Sequence, residues 1–113
     1  PAWTQYWPEP PFPAFPSGHS IHSAAAATVL TDLFGESLPF TDHSHEGKRR
    51  YEADPRFLDL TYPARSYSSF WDAANESAYS RFLGGIHTKQ DNDVGQQEGK
   101  KIGENVNALK WKK

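Results

Sequence analysis

The sequence contains no cysteine and no methionine, and no apolar run approaches the roughly 20 residues that a membrane-spanning helix needs. The absence of cysteine excludes disulfide bonds and thiolate chemistry and leaves the redox compartment undetermined. No signal peptide is visible, although an earlier cleavage could have removed one. Because the chain begins at Pro1 without methionine, we expect it to be processed or cut from something longer. We also expect an extracytoplasmic location, either periplasmic or secreted.

Neither positive nor negative charge is in large excess, since 12 Lys and Arg and 14 Asp and Glu give a net charge of −2. This balance excludes the broad basic surface of a nucleic-acid-binding protein. Apolar residues are scarce, at 36% of the 113 residues. Counting Gly in place of Tyr raises this share only to about 39%, against roughly 45–50% in a typical domain. We therefore expect one domain at most, which completes its core against another segment.

Residues 1–16 hold six of the nine prolines, interleaved with the aromatic residues Trp3, Tyr6, Trp7, Phe12 and Phe15. Proline fixes its own φ and pushes the preceding residue towards extended geometry, so neither a helix nor a central strand forms here. We predict an extended arm that lies across a helical body and is held by its aromatic side chains. A PxxP-type ligand for another domain is the alternative.

Two helices are predicted from apolar spacing and capping residues. The first begins after Ser17 as N-cap and ends at Gly35, with apolar residues every four positions at Ile21, Ala25, Val29 and Leu33. The second begins near Ser69, stops at Gly84-Gly85, and is expected to carry inward Phe70, Ala74, Ala78 and Phe82.

A third helix is predicted from near Thr88 towards Lys110, with Gly95, Gly99 and Gly103 on one face. Each of these glycines costs about 1 kcal/mol relative to alanine in a helix interior. The stripe therefore requires another backbone to pack tightly against it, and we expect that a further segment is needed to provide it. Residues 36–65 are predicted to form a long loop, with a short helix within 54–60 as an option. No β-alternation stands out, so the predicted fold class is all-α.

The segment Pro16-Ser17-Gly18-His19-Ser20 lies where the arm becomes the first helix. The free N–H groups of a first helical turn and the positive end of the helix dipole form an anion site. Gly18 permits close backbone approach, Ser17 adds a hydroxyl donor, and His19 brings a titratable group to the anion. An ordinary helix cap is the alternative interpretation.

A second segment runs from Ser80-Arg81 through His87 to Asp91. On a helix, the i,i+4 spacing lets the Asp91 carboxylate accept from one nitrogen of His87 and leaves the other as a nucleophile or ligand. Arg81 offers a planar fork of donors suited to an oxyanion. Such a set alone is also typical of a surface ion-pair network, but the two segments together favour an oxyanion site.

These two segments resemble the second and third signature motifs of the type 2 phosphatidic-acid phosphatase and vanadium haloperoxidase superfamily. The resemblance includes Pro11-Phe12-Pro13-Ala14-Phe15 and Gly84-Gly85-Ile86-His87, which are similar to soluble bacterial vanadium-dependent haloperoxidase-like proteins. It spans roughly residues 3–103. It implies a helical bundle of this type, in which residues 1–113 form the C-terminal part of a single domain.

The resemblance also implies catalytic roles. His87 would bond the vanadium of vanadate in a haloperoxidase, or attack phosphorus in a phosphatase, and Asp91 would orient its ring. His19 would be the general acid–base that activates peroxide or protonates a leaving group.

Further residues would form the oxyanion site. The Ser17 hydroxyl and the Gly18 N–H would hold oxygens, and Arg81 would neutralise one of them. Phe12 and Phe15 would lie beside this site and suit a dry peroxide pocket. The implied cofactor is vanadate, or phosphate in a phosphatase.

Vanadate and phosphate are both tetrahedral oxyanions, so the motifs do not separate the two chemistries. The aromatic-rich chain favours a haloperoxidase that oxidises halide with hydrogen peroxide. An acid phosphatase or phosphatidic-acid phosphatase acting on a phosphomonoester, with His87 as nucleophile, is the alternative. A third hypothesis is an inactive remnant of the fold that only binds an anion.

The family's first motif, a Lys followed after several residues by Arg-Pro, is absent and should lie just before Pro1. We therefore expect an N-terminal segment of the same precursor to supply these cations. We expect no nucleic acid as partner and no membrane span.

Other histidines are weaker candidates. His22 follows His19 by one turn and either contacts the pocket or simply lies on the helix surface. His43 and His45 lie in a charged loop and raise the alternative of a metal site, although hard ions prefer oxygen ligands.

Overall fold

The computed structural model describes residues 2–48 and 61–110. Within these ranges the chain forms three helices, α1 (Gly18–Phe34), α2 (Phe70–Leu83) and α3 (Lys89–Ala108). A two-stranded antiparallel ribbon, β1 (Phe40–Asp42) and β2 (Arg65–Tyr67), lies between α1 and α2 in the sequence. The predicted helical bundle is confirmed, and none of these three helices combines the length and apolarity that crossing a membrane requires.

The helix starts follow the predicted caps. Ser17, Ser69 and Thr88 are the N-caps, and each side chain accepts from the backbone N–H three residues further on. Gly35 ends α1 at φ 98°, where its N–H donates to the Thr31 carbonyl at 2.8 Å. Local capping chemistry therefore sets the boundaries of these helices.

Helices α1 and α3 run parallel and in close contact along the three glycines of α3. Gly95, Gly99 and Gly103 face successive turns of α1 from Ser17 to Thr28. A Cβ on Gly95 would lie 2.8 Å from the Ser17 carbonyl oxygen, and a Cβ at either of the other two positions would lie closer still to atoms of α1. We call this contact the glycine seam. Its close backbone partner is α1, so the expectation that a further segment must provide it is wrong.

Small residues make up the apolar core of the described residues, which consists of Ala24, Ala27, Ala74 and Ala78. The expected inward stripe of α2 is therefore wrong at Phe82, which is 48% exposed. In the apolar spacing of α1, Leu33 is 42% exposed. Helix α1 packs against both α2 and α3. Small residues therefore predominate where the helices meet, and many of the larger side chains lie outside.

The arm, residues 2–16, contains neither helix nor strand, as predicted. It is fixed to the turn after α2, where the N–H groups of Tyr6 and Trp7 donate to the Gly84 carbonyl at 3.1 and 3.0 Å. The Trp7 ring covers Gly84 so closely that a Cβ there would collide with it. Trp7 is thus the aromatic residue that holds the arm.

The ribbon adds a small β element to a mostly helical chain and corrects the prediction of a loop without structure over residues 36–65. Phe40 in β1 lies 5.3 Å from the ring of Tyr67 in β2 and 5.6 Å from that of Phe70 in α2. These contacts attach the ribbon to the start of α2. The optional helix within 54–60 lies outside the described residues.

Candidate active site

Three helix ends meet at one end of the bundle. Because α1 and α3 are parallel, their N-termini lie side by side, and the Ser17 N–H donates to the Asp91 carbonyl at 3.0 Å. Residues 84–88 join the end of α2 directly to the start of α3, so the last turn of α2 brings Arg81 to the same place. Two positive helix-dipole ends and a guanidinium therefore face a common region, which favours an anion.

The imidazole of His87 is buried in this region, with its side chain only 2% exposed. His87 Nδ1 has no hydrogen-bond partner and lies 3.7 Å from Asp91 Oδ2, which is too far for a hydrogen bond. His87 precedes the N-cap Thr88 and is not on the helix, so the expected i,i+4 geometry is not formed. The Asp91 carboxylate instead accepts from the Thr88 N–H at 2.7 Å and closes a capping box.

The guanidinium of Arg81 is partly buried, and its Nε has no hydrogen-bond partner. Its central carbon lies 4.7 Å above the centre of the Trp7 ring, a cation–π distance. Burial lowers the pKa of Arg81, yet an arginine stays charged at neutral pH. No ion pair neutralises Arg81 within the described ranges, so its charge is available to an anion.

His19 lies in the first turn of α1 and remains exposed. Its pKa is lowered first by partial burial, then by the positive charges of Arg81 and His87, and last by that of His22. The hydrogen bond from the Ser17 N–H to the Asp91 carbonyl joins the segment that carries His19 to the segment that carries His87. The two motifs predicted to act together are thus brought together by the fold.

Ser17 and Gly18 differ in their surroundings. A Cβ on Gly18 would meet nothing within 4 Å, so its backbone faces open space that a ligand could enter. Ser17 is fully buried, and its Oγ lies 3.0 Å from Ser20 Oγ. Ser20 Oγ also lies 3.0 Å from Asn92 Oδ1 on α3.

Three contributors to this region were missed by sequence reasoning. Ser20 belongs to the first motif and Asn92 follows Asp91 directly, so both stood beside recognised residues, but no spacing rule links positions 72 residues apart. Trp7 was recognised only as part of the arm, and its position over Arg81 depends on the fold.

A cavity of about 580 Å³ opens beside His87 and Asp91, with Trp3, Tyr6 and Phe82 among its lining residues. The predicted pocket residues Phe12 and Phe15 do not line it, and both are more than half exposed. Their place in a pocket therefore stays a prediction.

The charged loop does not form a metal centre within the part of the chain that the structure describes. His43 Nδ1 pairs with Glu46 Oε2 at 2.6 Å on the surface. No group of three or more His, Asp or Glu side chains in the described ranges could hold a metal ion.

The groups around His87 fit a tetrahedral oxyanion. Buried Nδ1 of His87 and Nε of Arg81 both lack partners, which is costly unless a ligand or a small rearrangement satisfies them. Catalytic hydrogen bonds are often long without ligand, and a slight closure of the 3.7 Å gap would join His87 to Asp91. A multiply charged anion would compensate the guanidinium and the two helix ends.

Comparisons with known proteins agree with this geometry. Residues 1–111 match the family described as the VCPO second helical-bundle domain. The chain is similar to the structure of the first bacterial vanadium-dependent iodoperoxidase, with 41% identity and a TM-score of 0.75 over 95% of this chain and 23% of that chain. A comparison with curated proteins gave no match.

The chain is also similar to a bacterial vanadium-dependent chloroperoxidase in two forms. The holo form shows 21% identity and a TM-score of 0.70, over 90% of this chain and 22% of that chain. The apo form shows 22% identity and a TM-score of 0.72 over the same shares, 90% and 22%. These identities show the fold alone, and this chain spans less than a quarter of each matched protein. With the family match over residues 1–111, they lead to one conclusion: the chain belongs to the vanadium haloperoxidase superfamily as a VCPO second helical-bundle domain.

Proposed function

We propose that this chain is the vanadate-binding part of a vanadium-dependent haloperoxidase, which oxidises halide with hydrogen peroxide. The observation that carries the proposal is the buried imidazole of His87, whose Nδ1 has no hydrogen bond, near the Arg81 guanidinium, whose Nε also has none. Both lie where the N-termini of α1 and α3 meet, with His19 in the first turn of α1. The iodoperoxidase that is 41% identical supports it and makes iodide the first halide to test.

In this proposal the donors at the end of the bundle hold the oxyanion. His87 provides a ring nitrogen to vanadium, while Arg81, the Gly18 N–H and the Ser17 hydroxyl contact oxygens. When bound, vanadate supplies the activation of peroxide towards halide. The fixed donors stabilise the charge that develops, because they need no reorganisation during the reaction.

His19 is proposed as the general acid–base. In the anion-free protein its lowered pKa favours the neutral imidazole, whose ring nitrogen can accept a proton from hydrogen peroxide. Asp91 is proposed to orient His87, while Trp7 holds the guanidinium plane of Arg81 by its position 4.7 Å away.

Additional cations complete the site in this proposal. The first motif of the superfamily, Lys followed by Arg-Pro, is absent from the sequence. We propose that another segment of the same precursor supplies these charges, since Arg81 alone leaves a multiply charged oxyanion undercompensated.

The test, made in the longer precursor, compares His87→Ala with the unchanged protein and with His22→Ala, a control one turn along α1 from His19. After incubation with orthovanadate, peroxide-dependent oxidation of iodide, bromide and chloride is measured beside hydrolysis of a generic phosphomonoester. We expect His87→Ala to fall below roughly a tenth of the original turnover with an unchanged circular dichroism spectrum. His22→Ala should retain most of it.

Turnover that survives His87→Ala would refute the assignment. Phosphomonoester hydrolysis without halide oxidation would replace it with a phosphatase that uses His87 as nucleophile. Vanadate binding with neither activity would identify an inactive anion-binding remnant.

A further inference from the structure

Three buried polar side chains connect the N-termini of α1 and α3. Ser17 and Ser20 are completely buried and Asn92 is only 5% exposed. Ser20 Oγ lies between the other two, 3.0 Å from Ser17 Oγ and 3.0 Å from Asn92 Oδ1. We call these three residues the Ser–Ser–Asn chain.

The number of protons determines the direction of these hydrogen bonds. A carbonyl oxygen only accepts, so the Ser20 hydroxyl donates its one proton to Asn92 Oδ1. The heavy-atom geometry also suits Ser20 as donor to Ser17 Oγ, but its one proton cannot serve both acceptors. While Asn92 Oδ1 holds that proton, the 3.0 Å contact between the two serines is a hydrogen bond only if Ser17 donates to Ser20. In this arrangement the single hydroxyl proton of Ser17 points into the protein and is unavailable to an anion.

A rotation of the Asn92 amide by 180° reverses every donor in the Ser–Ser–Asn chain. The amide nitrogen then donates to Ser20 Oγ, and Ser20 donates to Ser17 Oγ. The Ser17 proton becomes free for an oxyanion oxygen. The two amide orientations have nearly the same shape, so packing does not separate them.

We propose that Asn92 is a positioning residue whose amide orientation, relayed by Ser20, decides whether the Ser17 hydroxyl donates to the bound oxyanion. This inference rests on the proposed function, because it takes Ser17 as a ligand of that oxyanion. Asn92 acts through Ser20 and Ser17 and does not touch the anion itself.

The surrounding backbone restricts movement of the Ser–Ser–Asn chain to proton direction and amide rotation. The Ser17 N–H donates to the Asp91 carbonyl at 3.0 Å, next to Asn92 in the sequence. One turn further on, Gly95 is so close to α1 that a Cβ would lie 2.9 Å from Ser20 Cβ. The two helix ends are therefore held in register while the hydrogen bonds between them reverse.

The test uses Asn92→Asp and Asn92→Leu in the intact protein. Asn92→Asp keeps an acceptor and removes the donor, so the Ser17 proton stays directed inward. We expect the affinity for orthovanadate and inorganic phosphate to fall roughly tenfold or more, the size of one hydrogen bond to a charged group. Asn92→Leu frees Ser20 to donate to Ser17, so affinity should be kept or increased. Calorimetric titration without peroxide or halide measures both.

A Ser20→Ala background separates the relay from simple charge repulsion. Without the Ser20 hydroxyl, Asn92→Asp acts only through its added charge, so most of its effect should disappear. Asn75→Asp is a matched control, because Asn75 lines the same pocket between α2 and α3 as Asn92. Its hydrogen bond comes from Gln96, outside the Ser–Ser–Asn chain. This control should change anion affinity less than roughly twofold.

Each outcome decides the proposal. An equal loss from Asn92→Asp with and without Ser20 would overturn it, because charge alone would then explain the loss. A loss of anion affinity from Asn92→Leu as large as that from Asn92→Asp would also overturn it, because the role of Asn92 would then be structural. If the leucine variant does not fold, Asn92→Ala takes its place. If Ser17→Ala leaves anion affinity unchanged, the placement of Ser17 in the proposed site is wrong, and this result is separate from the fate of His87→Ala.

Discussion

Arg81 is a cation that the fold holds in place without a counter-charge among the described residues. Trp7 stacks on one side of its guanidinium, and its Nε lacks a partner. The pKa of Arg81 is lowered because burial disfavours the charged form. A bound oxyanion would raise the pKa of Arg81 again, because it would stabilise the charged form. Anion binding and the partly buried position of Arg81 therefore stabilise each other.

We expect Arg81→Ala to weaken vanadate or phosphate binding by about 1.5–3 kcal/mol, the range for a charge-assisted hydrogen bond. Arg81→Lys should recover only part of this affinity, because a lysine keeps the charge and loses the planar fork. Anion titration measures both, with Arg65→Ala in the ribbon as control. An unchanged dissociation constant for Arg81→Ala would contradict a shared oxyanion site.

Acid should destabilise the anion-free protein through His19. The pKa of His19 in the folded chain lies below its ordinary value of 6.5, chiefly through burial and then through Arg81 and His87. The unfolded chain therefore binds the proton at higher pH than the folded chain, and stability falls as the pH drops through this interval. The loss is complete once the pH is below the lowered, folded pKa.

When the pH is lowered from about 7.5 to about 5.5, we expect His19→Gln to lose less thermal stability than the unchanged protein. Melting temperatures in phosphate-free buffer provide the measurement, because a bound anion would raise the pKa of His19 and mask the effect. Identical pH dependence in both proteins would show that His19 is not responsible.

At the scale of the elements, the glycine seam determines where Ser17 lies relative to Asp91. We expect Gly99→Ala to lower stability by about 1–3 kcal/mol through overpacking, despite a gain of about 1 kcal/mol in helix propensity. The added methyl would meet Ala24 Cβ at 2.9 Å and the Ile21 carbonyl still closer. It should also weaken anion binding, because α1 must move away from α3.

Urea denaturation and vanadate titration of Gly99→Ala test this expectation. Gln97→Ala is the control, since Gln97 is exposed on the same helix. A Gly99→Ala variant more stable than the original would mean that α1 and α3 can separate without cost.

Helix ends could be predicted because their causes are local. A side chain such as Ser17 or Thr88 caps a backbone N–H three residues away, and this spacing is visible in the sequence. The glycine stripe likewise predicted a close helix contact, although it did not indicate which helix would be the partner. The ribbon was missed because strands of three residues are too short to show alternation.

The sequence predicted which residues form the candidate site better than it predicted the hydrogen bonds between them. The motif spacing named Arg81, His87 and His19, and the fold brings together the helix ends that carry them. The hydrogen bond expected between His87 and Asp91 is not formed, because their i,i+4 contact measures 3.7 Å and α3 begins only after His87. Apolar periodicity also misplaced the core, since the tight helix contacts select residues by size rather than by hydrophobicity.

At the scale of the whole molecule, more large apolar side chains of the described residues are exposed than are buried in the core. Thirteen large apolar or aromatic side chains of the described residues are at least 37% exposed, while the buried apolar side chains are four alanines. Apolar burial is the main favourable contribution to folding. This distribution supports the hypothesis that a further segment covers part of the surface.

We expect residues 1–113 alone to unfold without a sharp cooperative transition and to bind vanadate more weakly than the longer precursor. The thin core explains the first result, and the missing Lys and Arg-Pro cations explain the second. Thermal unfolding and vanadate titration of both proteins measure these properties. If residues 1–113 melt cooperatively and bind vanadate equally tightly, no further segment is needed.

The glycine seam also affects the response of the molecule to hydrostatic pressure. Pressure favours unfolding in proportion to the internal voids that unfolding eliminates. At Gly95, Gly99 and Gly103 there is no space even for a methyl group, so this contact contains almost no void volume that pressure could eliminate. The contact that aligns the two helix N-termini should therefore yield little to compression, and the geometry of the anion site should persist under pressures that rearrange the open surface around it.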